Sequence, residues 1–326
     1  MGIKLIKFAV IGVGTFGIKR ATAIKNSNKA ELVAICDLSK NNILKAEKIL
    51  NVPIKSFEEI LKDDEIEVVC ICTPNKYHIT MIIECLKSNK NVFCEKPLCR
   101  NLEEAKKIYE FSNKSKAILQ IGSNHRYFES VMYAKKLVDS NAIGEVLSFN
   151  GRIGHNGERL KDSWFWKKEM SGGGTLLDNG CHLLDLSRYF VGNFVEGKGN
   201  TSNSYWKNIE VEDTASGIFK TKEGKTSSIF CSWRLLSGYF FFEINGSEGY
   251  INVDGRFDTH GGDKIYWSNK TENKIFSKDF SHIKPNSYQL EIENFINTLE
   301  NKTDCSPSVK DGLEIMRMID FVYSSK

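Results

Sequence analysis

Three residues of this chain carry the functional groups that alcohol oxidation requires. Lys96 sits in Glu95-Lys96-Pro97, and Asp178 and His182 stand four apart in Gly172-Gly173-Gly174-Thr175-Leu176-Leu177-Asp178-Asn179-Gly180-Cys181-His182. Converting a secondary alcohol to a ketone needs a base at the hydroxyl proton while hydride leaves carbon, and a cation to stabilise the developing alkoxide. An imidazole, with an unperturbed pKa of about 6.5, suits the first task. An ammonium whose pKa burial can lower suits the second, and it can return the proton in the reverse direction. A spacing of four places carboxylate and imidazole on one face of a helix, where Asp178 would orient the ring or hydrogen-bond a neighbouring substrate hydroxyl. Asp185 continues that face, or else simply pairs with Arg188. Lys96 and His182 both stand as candidates for the formal base, because close groups titrate as a set.

The hydride acceptor has its own signature. Lys7-Phe8-Ala9-Val10-Ile11-Gly12-Val13-Gly14-Thr15-Phe16-Gly17 reads as a strand running into G-x-G-x-x-G and then a helix. Gly12 permits the tight turn, Gly14 lets backbone N–H groups approach a pyrophosphate, and Gly17 allows close helix–strand packing. Asp37 ends the second strand-like run, where an acid can hold the ribose hydroxyls and repel a 2′-phosphate. Ser39 and Lys40 would welcome such a phosphate, so the charge logic favours NAD over NADP without removing the second. Thr73-Pro74-Asn75-x-x-His78 follows the third run, and Asn75 and His78 either line the nicotinamide ribose or cap the next helix. Glu95 either holds Lys96 in place or reaches the cofactor ribose. The expected cofactor-binding set is therefore Gly12, Gly14, Thr15, Phe16, Gly17, Asp37, Thr73, Pro74, Asn75, His78, Glu95 and Lys96.

On the substrate side, Trp164 and Trp166 lie among Arg159, Lys161, Lys167 and Lys168 just before the glycine triplet. Aromatic faces stack on the C–H faces of sugars and the cations could hold a phosphate or carboxylate. The competing reading packs both Trp side chains in the domain and leaves the charges solvated. Asn179 and His182, on the same predicted helix, and Lys96 complete the expected substrate contacts.

These residues need elements to carry them. Up to about residue 124, β-branched runs at 7–12, 31–37, 68–73, 92–95 and 117–121 alternate with amphipathic stretches such as 43–50 and 102–111, the pattern of βαβ units on a parallel sheet. Beyond residue 125, alternating runs at 144–154, 212–220, 225–235, 239–245 and 250–253, with turns at Glu223-Gly224 and 246–249, read as a mostly antiparallel sheet open on one face. Helices are predicted at 176–190, 288–299 and 309–322, the last opened by a Ser308-x-x-Asp311 capping box. The expected division is 1–124 and 125–326, with a ligand cleft between the halves.

Composition narrows the classes further. The chain has 326 residues, long enough for two domains, and with 41% hydrophobic and 26% charged residues it is globular rather than disordered. A net charge of +4, spread in scattered pairs, argues against nucleic acid as the main partner. No apolar run approaches the ~20 residues of a membrane span. The start carries no secretory h-region, and Met1-Gly2 fails as a lipidation signal because Ile6 stands where Ser or Thr is required, so the expected location is cytoplasmic. Nine cysteines without framework spacing, among them Cys36, Cys70, Cys72 and Cys94 in apolar runs, read as buried thiols.

Taken in order, Gly12-x-Gly14-x-x-Gly17, Thr73-Pro74-Asn75-x-x-His78, Glu95-Lys96-Pro97 and Asp178-x-x-x-His182 resemble the family of glucose–fructose oxidoreductase, inositol 2-dehydrogenase and the rhizopine-catabolism oxidoreductases, over essentially the whole length. The resemblance implies an α/β protein: an N-terminal Rossmann domain with a doubly wound parallel sheet at 1–124, and a C-terminal α/β domain at 125–326 whose large open, mostly antiparallel sheet serves substrate binding and oligomer contacts. It implies NAD(P)-dependent redox chemistry between a ring hydroxyl and ketone of a sugar, nucleotide sugar or cyclitol, with Lys96, Asp178 and His182 as the catalytic group and a homodimer or homotetramer as the assembly. It also places Arg126 where relatives contact substrate, with His125 beside it where relatives often carry another basic or polar residue. Two rivals remain. A dinucleotide sensor on the same fold would have no chemical need for the catalytic group. A metal-dependent isomerase would need a third ligand beside Asp178 and His182, and His125 and His155 have no recognisable metal spacing; no metal is expected.

Overall fold

The computed structural model describes residues 5–255, 263–272 and 274–325; Met1 and Gly2 of the lipidation reading lie outside them. The first stretch of chain forms β1 (Ile6–Ile11), α1 (Thr15–Asn26), β2 (Ala30–Cys36), α2 (Lys40–Leu50), α3 (Phe57–Lys62), β3 (Val68–Ile71), α4 (His78–Lys87), β4 (Asn91–Cys94), α5 (Leu102–Ser112) and β5 (Leu119–Ile121). Then come α6 (Glu129–Asp139), β6 (Val146–Gly154), α7 (Lys168–Ser171), α8 (Cys181–Val191), β7 (Phe194–Ser202), β8 (Thr214–Thr221), β9 (Thr226–Ser232), β10 (Tyr239–Gly246), β11 (Gly249–Gly255), β12 (Lys264–Asn269), β13 (Phe276–Asp279), α9 (Ser287–Asn301) and α10 (Val309–Tyr323).

Two compact units result. The first joins Met1–Asn124 to Ser287–Leu313, and the second joins His125–Asn286 to Glu314–Lys326. The sequence division at 124/125 marks the first crossing between them but misses the return of 287–313. That return has a local cause: α9 presents Ile292, Phe295 and Ile296, which are buried in the same core as Phe8, Val10, Ile24 and Phe93. Apolar residues recurring at three- and four-residue spacing on α9 drive it onto that core.

In the first unit the strands are all parallel, in the order β2-β1-β3-β4-β5. The order reverses at β1 and β3, and in parallel α/β sheets the crevice beyond the strand ends at such a point takes the ligand. The glycine-rich turn after β1 and the Thr73-Pro74 turn after β3 both lie there. Burial on both faces accounts for the runs of fully buried residues in β1 and β3.

A buried ion cluster lies under this crevice. Arg20 of α1 is wholly buried, with Nε 2.5 Å from Glu95 Oε1 and Nη1 2.5 Å from Glu291 Oε2 on α9. Its guanidinium carbon sits 4.6 Å from the ring centroids of both Phe93 and Tyr288. Glu291 also accepts the Ser123 N–H.

The second unit is built on an eight-stranded sheet in the order β13-β12-β11-β10-β6-β9-β8-β7. Only β6 and β9 pair in parallel; every other neighbouring pair among the described residues is antiparallel. β7, β12 and β13 escape the sequence reading because they carry few buried apolar positions. α8 packs on β6, where a Cβ on Gly151 would come within 2.8 Å of Leu183. The predicted capping box forms, with Ser308 and Asp311 bonding each other's backbone N–H.

Glu291 makes stability pH-dependent. Burial pushes its carboxyl up to about 7 from 4.5, with Arg20 opposing the rise and Glu95 adding to it. A folded-state pKa above the unfolded one means a contribution that is complete below about pH 4.5 and lost as pH rises through about 7. Urea denaturation should therefore report falling stability from about pH 5 to pH 8. Glu291→Gln should flatten that dependence, and an unchanged slope in the variant would remove Glu291 as its source.

Candidate active site

The glycine-rich turn separates into two glycines that the fold requires and one that it does not. Gly12 has φ +85, and a Cβ there would lie 2.7 Å from the Cys72 carbonyl carbon; a Cβ on Gly17 would lie 1.8 Å from the Gly12 oxygen. A Cβ on Gly14 would meet nothing within 4 Å, so the protein itself gives no reason for glycine at that position. Gly14 caps α1 without a side-chain hydrogen bond, and the first turn holds no acid. Open space in front of an uncapped helix N-terminus suits a pyrophosphate. Asp37 is fixed beside it, accepting from Val13 N at 2.8 Å, Ser39 N at 2.7 Å and Asn42 Nδ2 at 3.1 Å. Space, helix dipole and acid together fit the dinucleotide that the motif predicts. Thr15 and Phe16 are exposed at the start of α1.

Lys96 follows β4. Glu95 does not extend toward a ribose: one carboxylate oxygen meets Arg20, and the other accepts the Lys96 N–H at 3.3 Å. It thus holds the lysine's backbone, which is one of the two expected roles. The Lys96 ammonium lies 6.0 Å from the centre of the Phe16 ring, so the aromatic that opens α1 faces the cation. Asn75 is buried in the turn after β3. His78 corrects the sequence reading. Its Nδ1 lies 3.0 Å from the Pro97 oxygen and its Nε2 2.9 Å from the Thr73 oxygen, so its nitrogens are turned to two carbonyls and the ring does not cap the helix. It ties the Thr73-Pro74 turn to the Lys96-Pro97 turn from beneath, and burial lowers its pKa against the pull of those carbonyls.

In the second unit the predicted helix at 176–190 opens with a π turn, Leu176–Gly180, before α8 begins. Asp178 therefore leaves the backbone from a wider turn than the i, i+4 argument assumes. The glycines make this close-packed turn feasible: a Cβ on Gly180 would come within 2.9 Å of Leu176 and 3.0 Å of Cys231. Glu212, whose pKa burial raises, accepts the N–H groups of Gly174 and Leu176 at 2.9 Å each and the Tyr323 hydroxyl at 2.9 Å. Such π turns concentrate at functional sites.

Asp178 is nearly buried. Its Oδ2 accepts from Trp233 Nε1 at 3.3 Å and lies 4.0 Å from His155 Nε2. His155 Nδ1 accepts the Gly157 N–H at 2.9 Å, so a neutral His155 carries its proton on Nε2, the side that faces Asp178. His182, also buried, stacks on His125 with ring centroids 3.7 Å apart and planes 6° from parallel. Asn179 is buried, and its amide nitrogen has no hydrogen-bond partner among the described residues.

Three substrate-side expectations change. Arg126 is nearly buried, with Nε 2.8 Å and Nη2 2.5 Å from the two oxygens of Asp185; its fork is engaged by a carboxylate of the protein. Asp185 thus spends a bidentate contact on Arg126, and Arg188 donates to Asn193. Trp166 packs with Leu160, Ile209, Val211 and Trp233, so the competing reading holds for it. Trp164 stacks on Phe165 at 3.9 Å. Trp233, Glu212 and Arg20 belong to no motif; a charged residue in an otherwise apolar helix face, as at Arg20 and Glu291, is the available signal.

Among the described residues no three of His, Cys, Asp and Glu converge on a metal position, and no helix is long and apolar enough to cross a membrane.

Comparison with known proteins defines the class. Residues 6–123 match the model of the oxidoreductase family with NAD-binding Rossmann fold, and residues 131–252 match the GFO/IDH/MocA C-terminal domain. The chain belongs to this family of NAD-binding oxidoreductases. It is 29% identical to a myo-inositol 2-dehydrogenase of Thermotoga maritima over 78% of this chain and 77% of that protein. It is also 29% identical to a levoglucosan dehydrogenase of Pseudarthrobacter phenanthrenivorans, over 60% of this chain and 57% of that one. A solved levoglucosan dehydrogenase in complex with NADH and levoglucosan superposes with a TM-score of 0.89, at 22% identity, covering 99% of this chain and 97% of that one; this likeness is one of fold.

Two glycine substitutions separate fold from cofactor. Gly17→Ala should lower the melting temperature because its methyl has no room beside the Gly12 carbonyl. Gly14→Ala should melt like the parent yet bind NAD at least about tenfold more weakly, a loss of about 1.4 kcal/mol. Parent-like NAD affinity in Gly14→Ala, by fluorescence titration, would show that the open space is not the phosphate's.

Proposed function

We propose that this protein is an NAD-dependent dehydrogenase that oxidises a ring hydroxyl of a sugar or cyclitol, with Lys96, Asp178 and His182 serving one carbinol. The observation that carries the reading is the buried π turn with the start of α8, the segment of the family motif that contains Asp178, Asn179 and His182, where the Asn179 amide nitrogen has no hydrogen-bond partner among the described residues. The names of relatives that act on inositol and levoglucosan support the substrate class.

Bound NAD supplies the two-electron acceptor at its nicotinamide ring. His182 accepts the hydroxyl proton as the C–H bond gives up hydride, and the Lys96 ammonium stabilises the negative charge that builds on oxygen. In reduction the proton returns along the same path. Asp178, held by the Trp233 indole, keeps a carboxylate beside the imidazole and can accept from a neighbouring substrate hydroxyl. Asn179 offers its amide to another. Glu95 and His78 hold the backbone on either side of the Lys96 side chain, so the ammonium is delivered by a fixed turn. Asp37 and the α1 N-terminus hold the cofactor's ribose and pyrophosphate.

Absorbance of NADH on mixing the protein and NAD with inositols, free sugars and UDP-sugars tests this directly. One or more polyols should give NADH, and Lys96→Met should cut turnover at least about 100-fold with NAD affinity nearly unchanged. Tight NAD binding with no turnover across the panel would favour the sensor; near-normal turnover in Lys96→Met would remove the ammonium from the chemistry.

The same reading includes self-association. The sheet face opposite α8 carries Ile218, Phe230 and Phe241, of which Ile218 is 65% exposed, and a dimer or tetramer would cover it. Light scattering should report two or four chains; a monomer at micromolar concentration would overturn that part.

A further inference from the structure

Asn42 belongs to no motif and the mechanism above does not use it, yet it stands against the acid on which the dinucleotide site depends. It lies half-buried in the first turn of α2, and its side-chain amide donates to Asp37 Oδ2 at 3.1 Å. A carboxylate only accepts, so the amide nitrogen is the atom that faces Asp37 and the amide oxygen is turned away from that bond. The backbone N–H of Asn42 is spent separately, on the Ser39 hydroxyl that caps α2. The helix start therefore uses the main chain of Asn42, and the side chain is left for another task.

The donors around Asp37 set what its carboxylate can still accept. Each oxygen has room for two hydrogen bonds. Oδ2 receives the Val13 N–H at 2.8 Å and the Asn42 amide, which fill it. Oδ1 receives the Ser39 N–H at 2.7 Å and keeps one place among the described residues. A ribose presents two adjacent hydroxyls, so this carboxylate has a place for one and none for the other. The side chains around it narrow the choice of a second partner. Leu38 is 94% exposed but has no polar atom to offer, and the Ser39 hydroxyl is turned to the first turn of α2. Asn42 is bonded to the same carboxylate, and its amide oxygen and second amide N–H are unspent among the described residues.

We propose that Asn42 is a specificity-determining residue for the cofactor: Asp37 Oδ1 accepts one hydroxyl of the adenosine ribose, and the Asn42 side chain binds the adjacent one. The amide oxygen accepts a hydroxyl proton and the amide N–H donates to a hydroxyl oxygen, so the second hydroxyl is matched whichever way it turns. The bond from Asn42 to Asp37 sets the two partners side by side before the cofactor arrives, which lowers the cost of ordering them on binding. This assignment rests on Asp37 as the ribose acid, and the experiment separates the two.

Calorimetric titration of the full chain with NAD, 2′-deoxy-NAD and 3′-deoxy-NAD, each analogue lacking one hydroxyl of the adenosine ribose, tests the assignment without turnover. The parent should bind each analogue about fivefold or more weakly than NAD. Asn42→Ala should bind NAD about fivefold more weakly than the parent does, lose nothing further with one analogue and keep the full penalty with the other. Asp37→Ala should erase the penalty that Asn42→Ala leaves. Asn42→Leu, similar in size and without polar atoms, repeats the measurement should the smaller side chain disturb α2. Parent-like NAD affinity in both Asn42 variants would overturn the proposal and leave the role of Asp37 standing. Two analogue penalties that shrink together in the Asn42 variants would also overturn it, because they mark a residue that merely supports Asp37. An Asp37→Ala protein that binds NAD and both analogues like the parent would defeat the ribose reading of Asp37, and the proposal with it.

Discussion

The geometry of the first unit depends on one buried guanidinium. Arg20 reaches from α1 to Glu95 and Glu291 between the faces of Phe93 and Tyr288. Helix α1, the turn that carries Lys96 and the returning helix α9 are thereby fixed to one another. Removing one partner of such a buried cluster leaves an uncompensated charge, at a cost of about 3–5 kcal/mol. Glu95 is in this sense a structural residue that also sets the position of the Lys96 backbone. One oxygen answers the cluster and the other answers the backbone of Lys96.

The second unit solves a different problem, that of burying carboxylate and imidazole without stranding them. Gly151 and Gly180 let α8 and the π turn approach β6 and β9 at distances that a Cβ would forbid. The approach removes Asp178 and His182 from water, and their neighbours compensate: Trp233 donates to the carboxylate and the His125 ring covers the imidazole. Glu212 secures the entrance to the turn by accepting two backbone N–H groups. Buried polar groups with fixed partners form a preorganised site, the arrangement that proton transfer in a dry environment favours.

Much of this was legible before any coordinates. The strand–glycine–helix segment could be read because Gly12 and Gly17 answer backbone requirements and Gly14 keeps the space between them open, and the alternating runs of the second half because a sheet covered on one face demands them. Asp37 was found by its distance from the glycines. What escaped did so for physical reasons. Arg20 and Glu291 are far apart in sequence and find each other only through α9, whose apolar face looks like any other amphipathic helix. His78 has the right address for a cofactor residue, yet both its nitrogens are used by backbone carbonyls. Arg126 stands among the substrate contacts by resemblance alone, and its partner Asp185, 59 residues away, has no signal in the sequence. The π turn at 176–180 has no distinct periodicity in five residues, so an α-helical spacing was assumed where the backbone is wider. Trp164 and Trp166 show that two aromatics two residues apart can have unlike fates, the second of them in the core.

The central claim is that a single ring carbon gives up its hydrogen with both electrons while these side chains manage the proton. Its most direct measurement is mass spectrometry of the nicotinamide product after incubation with a polyol deuterated at one ring carbon at a time. The account predicts one deuterium in the reduced cofactor from one ring position and none from the others. Product formed with every ring deuterium retained, or reduced cofactor that never acquires the label, would contradict it.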